Sequence, residues 1–220
     1  MTDFAAPIAT VDVALLTLRE DGLALVLVQR EAEPYAGHLA LPGGYVHVDE
    51  DDDTEATAAR VLRQKTGLPV PYLEQLYTVS GKYRDPRGWS LSVAYYALVP
   101  ERFLDRAPAG GIRVFPASAL PDLPFDHAAI VARALGRLRA KAAYSSLPAY
   151  LLPAEFTLNE LHAVYERVLG QAMNRQSFLR KIEAQGMIEP VPGQRRTGAH
   201  RPAQLYRLTG PKLTEFDRTV

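Results

Sequence analysis

The sequence predicts an α/β sandwich over residues 1–143 followed by a small α+β winged helix-turn-helix domain over residues 144–220. Three observations lead there. Two runs of aliphatic and β-branched residues flank an Asp-Gly turn near the start, and a glycine-rich turn at Leu41–Gly44 runs into a helical pattern. Toward the end come two short capped helices and then two strands around an arginine-rich tip. Charge divides along the same line. Residues 1–126 carry 11 Lys and Arg against 18 Asp and Glu, and residues 127–220 carry 14 against 7. A net charge of zero thus conceals an acidic front and a basic back, and the latter suits a polyanionic partner.

A chain of 220 residues is long enough for one sizeable domain plus a smaller one. It contains no cysteine, which excludes disulfides, thiolate catalysis and cysteine-ligated zinc. The histidines, at 38, 47, 127, 162 and 200, show no metal-ligand spacing. No stretch approaches the roughly 20 apolar residues that a membrane span requires, and MTDFAAPIAT lacks the basic and apolar regions of a signal peptide. The expectation is a cytoplasmic protein with no membrane partner.

In the first domain, Thr10 to Leu18 and Leu23 to Gln29 form a hairpin about Asp21-Gly22. Both strands are apolar on both faces, so they belong inside a sheet covered by helices. Glu55 to Lys65 reads as a helix. The run Asp49-Glu50-Asp51-Asp52-Asp53 before it is expected to favour the positive helix end and stay solvated. Tyr72 to Ser80 and Ser90 to Val99 form a second strand pair, joined by a turn through Pro86 and Gly88. That turn carries Lys82, Arg84 and Arg87, which either meet ligand phosphates or carboxylates or form a solvated hairpin tip. Arg30, closing the second strand, carries the same two readings. Phe125-Asp126-His127 opens an amphipathic helix to about Lys141, with Ile130, Val131, Ala134, Leu135 and Leu138 on its apolar face.

In the second domain, Thr157 caps a helix with Leu161, Val164, Tyr165 and Val168 inward and Gly170 at its end. Asn174 caps another, Arg175 to Gln185, closed by Gly186, and this pair has helix-turn-helix spacing. Phe178, Leu179 and Ile182 face its core, leaving Arg175, Gln176, Arg180 and Lys181 toward solvent or a DNA major groove. Met187 to Val191 and Leu205 to Leu208 are the wing strands, and Arg195, Arg196 and Arg201 sit in the tip between them. Cations on both helix and wing favour double-stranded DNA as the partner.

Leu41-Pro42-Gly43-Gly44, with Arg60, Leu62, Gly67 and Leu68 at fixed distances beyond, resembles the Nudix box, in which a glycine turn precedes a helix ending Arg-Glu-apolar-x-Glu-Glu-x-Gly-apolar. Val61, Gln64 and Lys65 stand where the box has glutamates, and the stretch from Gly44 to Arg60 is longer than the box by two residues. In the resembling enzymes those glutamates hold Mg²⁺, which polarises a pyrophosphate and activates water. A lysine there would repel a cation ~4 Å away by several kcal/mol at intermediate dielectric. The metal site is therefore expected to be weak or absent, with no catalytic residue and no metal ligand assigned. An Mg²⁺-dependent hydrolase of ADP-ribose or another nucleoside diphosphate derivative is the alternative, with the acidic run at 49–53 as a displaced metal site.

The two halves together resemble the NAD-related transcriptional regulators of the NrtR family, a Nudix-like sandwich fused to a winged helix. YLEQLYTVSGKYRDPRG, the stretch from LPDLPFDHAAIVARALG to LPAEFTLNELHAVYE, and RPAQLYRL are similar to that family's segments. The resemblance implies a homodimeric repressor of NAD-biosynthesis genes that binds a palindromic operator and releases it on binding ADP-ribose or a related NAD metabolite. No cofactor is required, the small molecule acting as effector. By position, Gly43, Gly44, Arg60, Arg84 and Arg87 belong to the ligand pocket, and the resemblance adds Arg30, a basic residue preceding Pro34 and Gly37.

Overall fold

Near-continuous aliphatic and β-branched runs in the opening residues produce two long strands, β1 (Ile8–Arg19) and β2 (Gly22–Gln29), with Gly22 at φ 126° making the turn between them. Both are buried along nearly their whole length, as strands covered on two faces must be. The computed structural model describes residues 6–196 and 202–216. Arg201, expected in the wing tip, lies outside the described residues.

The chain divides into two units. The first takes the residues up to Thr17, Ala24–Val99 and Phe103–Leu135, and the second takes Leu18–Leu23, Pro100–Arg102 and the residues from Gly136 on. In the first unit the sheet also holds β3 (Leu39–Ala40), β4 (Gly43–Tyr45), β5 (Tyr72–Gly81), β6 (Ser90–Leu98) and β7 (Arg113–Pro116). The path runs β3-β2-β1-β6-β5, with β4 on β1 and β7 on β2. β1 and β6 are parallel from Ile8 opposite Ser90 to Leu16 opposite Leu98. β4 pairs antiparallel with β1 so that Gly43 stands opposite Asp12.

Helix α1 (Thr54–Thr66) begins where the Asp53 carboxylate accepts the Ala56 N–H at 2.7 Å and ends at Gly67 in the left-handed region. Its Ala58, Val61 and Leu62 pack with Val11, Val13, Leu15, Val26, Tyr95 and Ala97. Each fully buried Val or Leu of this cluster contributes roughly 1.5–3 kcal/mol. Helix α2 (His127–Ala142) buries Ile130, Val131, Ala134 and Leu138, as its pattern requires.

The second unit holds β8 (Phe156–Thr157), α3 (Leu158–Leu169), α4 (Arg175–Ala184), β9 (Ile188–Arg196) and β10 (Ala203–Leu208). Thr157 and Glu160 close a capping box at the start of α3, and the Asn174 side chain accepts the Ser177 N–H at the start of α4. The core joins Phe156, Leu161, Tyr165, Phe178, Ile182 and Met187, with the Tyr165 and Phe178 rings 4.9 Å apart. The sheet is three-stranded, β8-β10-β9, so the expected wing gains a strand. β9 also outruns its expected end at Val191 and carries Arg195 and Arg196, which were expected in the tip, within the ladder. Pro192 and Gly193 lie beyond the expected end of the first wing strand, are residue types that signal a turn, and fall at the register shift between Gln204 and Tyr206. They are accommodated instead because β9 is an edge strand, where a missing N–H costs no pairing.

Candidate functional site

A cleft of about 350 Å³ opens in the first unit between the Gly43–Gly44 turn, α1, the Arg30–Glu33 segment and the loop after β5. Its floor is set by glycine. A Cβ at Gly43 would lie 2.4 Å from Asp12 Oδ1 and 3.0 Å from the Val11 carbonyl, so only a residue without one lets the turn seat against β1. Gly44 meets α1, where a Cβ would stand 3.0 Å from a Val61 methyl.

Beneath the turn lies a buried polar network. Asp12 Oδ2 accepts from the Ser92 hydroxyl at 2.7 Å and lies 3.5 Å from Arg84 Nη2, while Oδ1 lies 3.3 Å from His127 Nε2. His127 Nδ1 faces the Leu41 N–H at 3.2 Å, which assigns the ring proton to Nε2. Burial alone would raise the Asp12 pKa, but His127, Ser92 and Arg84 outweigh it and hold the carboxyl below the usual range. The imidazole thus ties the glycine turn to the acid on β1.

Each arginine assigned to the pocket lines the cleft, and each is held by protein groups. Arg60 donates from Nε and Nη2 to Asp51 at 2.7 and 2.6 Å, from Nη2 to the Tyr45 carbonyl at 2.9 Å, and from Nη1 to Gln64 at 3.3 Å. Arg84 donates from Nε and Nη2 to Asp126 at 3.0 and 2.8 Å and from Nη1 to Ser90 at 3.3 Å. Arg87 forks onto Asp85 at 2.9 and 2.6 Å and reaches the Tyr45 hydroxyl, whose ring it also covers. Arg30 donates to the Pro34 carbonyl at 2.9 Å and stacks over Phe125. These cations are therefore held in fixed orientations by protein groups.

Two expectations resolve here. The loop after β5 splits: Tyr83 is exposed with Lys82 beside its ring, whereas the Arg84 side chain is only 9 % exposed and belongs to the cleft wall. The acidic run splits as well. Asp53 caps α1, but the expectation that Asp51 stays solvated is corrected, since its side chain is 2 % exposed. The chain turns back on itself there, with the Glu50 and Asp51 N–H groups donating to the His47 carbonyl, and Asp51 reaches Arg60 and also accepts from Thr57 and the His47 N–H. Its pKa falls, chiefly through Arg60.

The positions that carry glutamates in the resembling hydrolases do not fit a divalent ion. Val61 is buried in the core, the Gln64 amide oxygen is taken by Arg60, and Lys65 presents an ammonium 3.9 Å from Glu31. Nearby carboxylates are engaged: Asp51 with Arg60, Asp85 with Arg87, and Asp12 with His127, Ser92 and Arg84. Among the described residues no group of three or more His, Cys, Asp or Glu is placed to hold a metal ion.

Sequence reasoning missed Asp12, Asp85, Asp126 and His127 as cleft architecture. A signal existed for Asp12 alone, an acid inside a strand that is apolar on both faces.

In the second unit Arg175, Gln176, Arg180 and Lys181 are exposed on α4, and Arg195 and Arg196 are exposed on β9. Arg175 donates to Asn159 of α3 at 3.1 and 2.7 Å, and Arg196 is held by Glu160 at the start of α3. Both cations are thereby fixed relative to the helix pair.

A sandwich whose glycine turn and helix frame an arginine-lined cleft, joined in one chain to a winged helix, defines a class: a Nudix domain coupled to a DNA-binding module. The NUDIX domain model matches residues 8–134 and the model of the NrtR DNA-binding winged helix domain matches residues 148–208. The ADPR responsive transcriptional repressor NtrR of Acinetobacter baylyi is 35% identical over 99% of this chain and 91% of its own length. Shewanella oneidensis NrtR complexed with a 27mer DNA superposes at TM-score 0.88 with 37% identity, covering 96% of this chain and 99% of that one. The NUDIX domain of the same Shewanella protein complexed with ADP ribose aligns at TM-score 0.55 with 36% identity over 61% of this chain and 90% of its own. The chain belongs to the NrtR family.

Proposed function

We propose that the protein is a transcriptional repressor that binds DNA through its winged helix and responds to ADP-ribose, or a related NAD metabolite, held in the Nudix cleft. The observation that carries this reading is likeness along the whole chain to an ADP-ribose-responsive repressor and to a DNA-bound NrtR structure. In this reading Gly43 and Gly44 bring backbone close to the ligand's pyrophosphate while Arg30, Arg84 and Arg87 border its anionic groups. Arg60 acts by positioning the turn through the Tyr45 carbonyl.

On the DNA side, Gln176 and Arg180 lie one helical turn apart on α4 and read base edges, while Arg175, Lys181, Arg195 and Arg196 meet phosphates. Arg201 is assigned to the same surface from sequence alone. A homodimer of the chain on a roughly palindromic operator of NAD-biosynthesis genes is part of the proposal, with half-sites one or two helical turns apart. Its place of action is the cytoplasm. Among the described residues no helix is long and apolar enough to cross a membrane.

The cleft is a sensor and not a hydrolase, because the donor set around α1 suits no divalent ion, and a sensor gains from not destroying its signal. Effector binding lowers operator affinity only by its differential affinity for the DNA-competent and released forms, about 1–3 kcal/mol, or roughly tenfold to hundredfold. Two assays test this. Binding to DNA from upstream of the protein's own gene neighbourhood should show a log-log salt slope near −5 if about six phosphates are neutralised. Incubation with ADP-ribose and Mg²⁺ should release no AMP. Salt-insensitive DNA binding contradicts the regulator, and AMP release that is lost in Asp52→Asn, an exposed acid outside the Arg60 clamp, supports the hydrolase with a displaced metal site.

A further inference from the structure

The charges of the cleft leave one cation differently placed from the others. Arg60, Arg84 and Arg87 are each clamped by a carboxylate in fork geometry, with contacts between 2.6 and 3.0 Å. Arg30 spends its donors on backbone carbonyls of its own loop. Among the described residues Lys65 has a loose ion pair, 3.9 Å to Glu31, whose side chain is 87 % exposed. Such a pair contributes little and is readily exchanged.

Position makes this matter. Val61 packs against Gly44, and Lys65 lies one helical turn beyond Val61 on the same face of α1. Its ammonium is directed toward Glu31, and both residues line the cleft together with Arg60 and Gln64. Three donors on a rotatable point charge suit a diphosphate approaching the glycine turn. The same charge excludes a divalent ion from the place where the resembling hydrolases would hold one.

We infer that Lys65 is the countercharge for a diphosphate-bearing ligand in this cleft and that the cleft binds such a ligand without metal. Lys65 exchanges Glu31 for phosphate oxygens when the ligand enters. This inference rests on the reading of the cleft as the effector site.

Calorimetric titration of the full chain with ADP-ribose, in EDTA and then in Mg²⁺, tests it alongside Lys65→Ala and Lys65→Arg. A charge-assisted bond of this kind is worth about tenfold or more in affinity. The expected result is binding in EDTA that Mg²⁺ leaves unchanged, weakened about tenfold in Lys65→Ala and largely retained in Lys65→Arg. A purely structural lysine would not make affinity follow the side-chain charge. Binding that requires Mg²⁺, or equal affinity in Lys65→Ala and the unsubstituted chain, overturns the inference and leaves the effector reading standing. Titration with inorganic pyrophosphate in EDTA separates the two further. If pyrophosphate binds in a Lys65-dependent way and ADP-ribose does not, ADP-ribose falls as the effector while the cleft remains a site for a diphosphate-bearing ligand and this inference holds. If neither binds, both fall.

Discussion

Asp51 grips Arg60 along one edge of the guanidinium, Nε to Oδ1 at 2.7 Å and Nη2 to Oδ2 at 2.6 Å, with the two side chains 2 % and 9 % exposed. The same Nη2 reaches the Tyr45 carbonyl, so the pair spans from the acidic turn through α1 to the strand beyond the glycines. An acid from an enlarged turn thus supports the cleft wall structurally.

The Asp51 carboxyl is held well below the ordinary carboxylate range, first by Arg60 and then, against the cost of burial, by the His47 N–H and Thr57. A depressed folded-state pKa contributes stability above the unfolded value of 3.8 and loses it as pH falls below that value. Asp51→Asn should therefore lower the melting temperature at pH 7, and the gap to the unsubstituted chain should narrow as pH drops from about 4 to 2. Thermal unfolding across that range checks it, and a gap independent of pH would refute the pairing. Asp85, lowered chiefly by Arg87, should behave in the same direction.

Gly43→Ala places a methyl 2.4 Å from Asp12 Oδ1 and 3.0 Å from the Val11 carbonyl, so it must displace an acid that His127 and Ser92 hold in place. Overpacking of this kind costs about 1–3 kcal/mol. Urea unfolding should report that loss, together with weaker ADP-ribose binding in calorimetry. Unchanged stability would show that the turn does not seat on Asp12.

Arg180→Ala removes an exposed cation from α4 without touching Phe178 or Ile182, the helix's buried contacts. DNA affinity should fall, and the salt slope should shrink by about one if the contact is to phosphate; a base contact would instead relax sequence preference. ADP-ribose affinity should stay as it was. Parallel loss of both activities would point to a damaged fold.

Long or well-capped elements were legible in the sequence. β1 and β2 declared themselves by aliphatic runs around Asp21-Gly22, α1 by the spaced frame of Arg60, Leu62 and Gly67 after the glycine turn, and α3 by Thr157 and Gly170 at its ends. The strands β3, β4, β7 and β8 did not, since two to four residues carry no readable period. Pro192-Gly193 misled because an edge strand tolerates residues that elsewhere signal a turn. Within the cleft, the arginines were found as cations, while their partners Asp85 and Asp126 and the Asp12–His127 pair were not. The Arg84–Asp126 and Asp12–His127 pairings exist only once the fold brings distant segments together, whereas Asp85 and Arg87 meet within one loop whose conformation no periodicity reveals.

The most direct test of the account is fluorescence anisotropy of labelled DNA from upstream of the protein's own gene neighbourhood, titrated with the full chain at fixed salt, with and without saturating ADP-ribose. An ADP-ribose-responsive repressor should bind specifically, with an affinity that ADP-ribose weakens about tenfold to hundredfold. Specific binding indifferent to ADP-ribose would contradict the proposed effector, and the absence of specific binding would contradict the regulator itself.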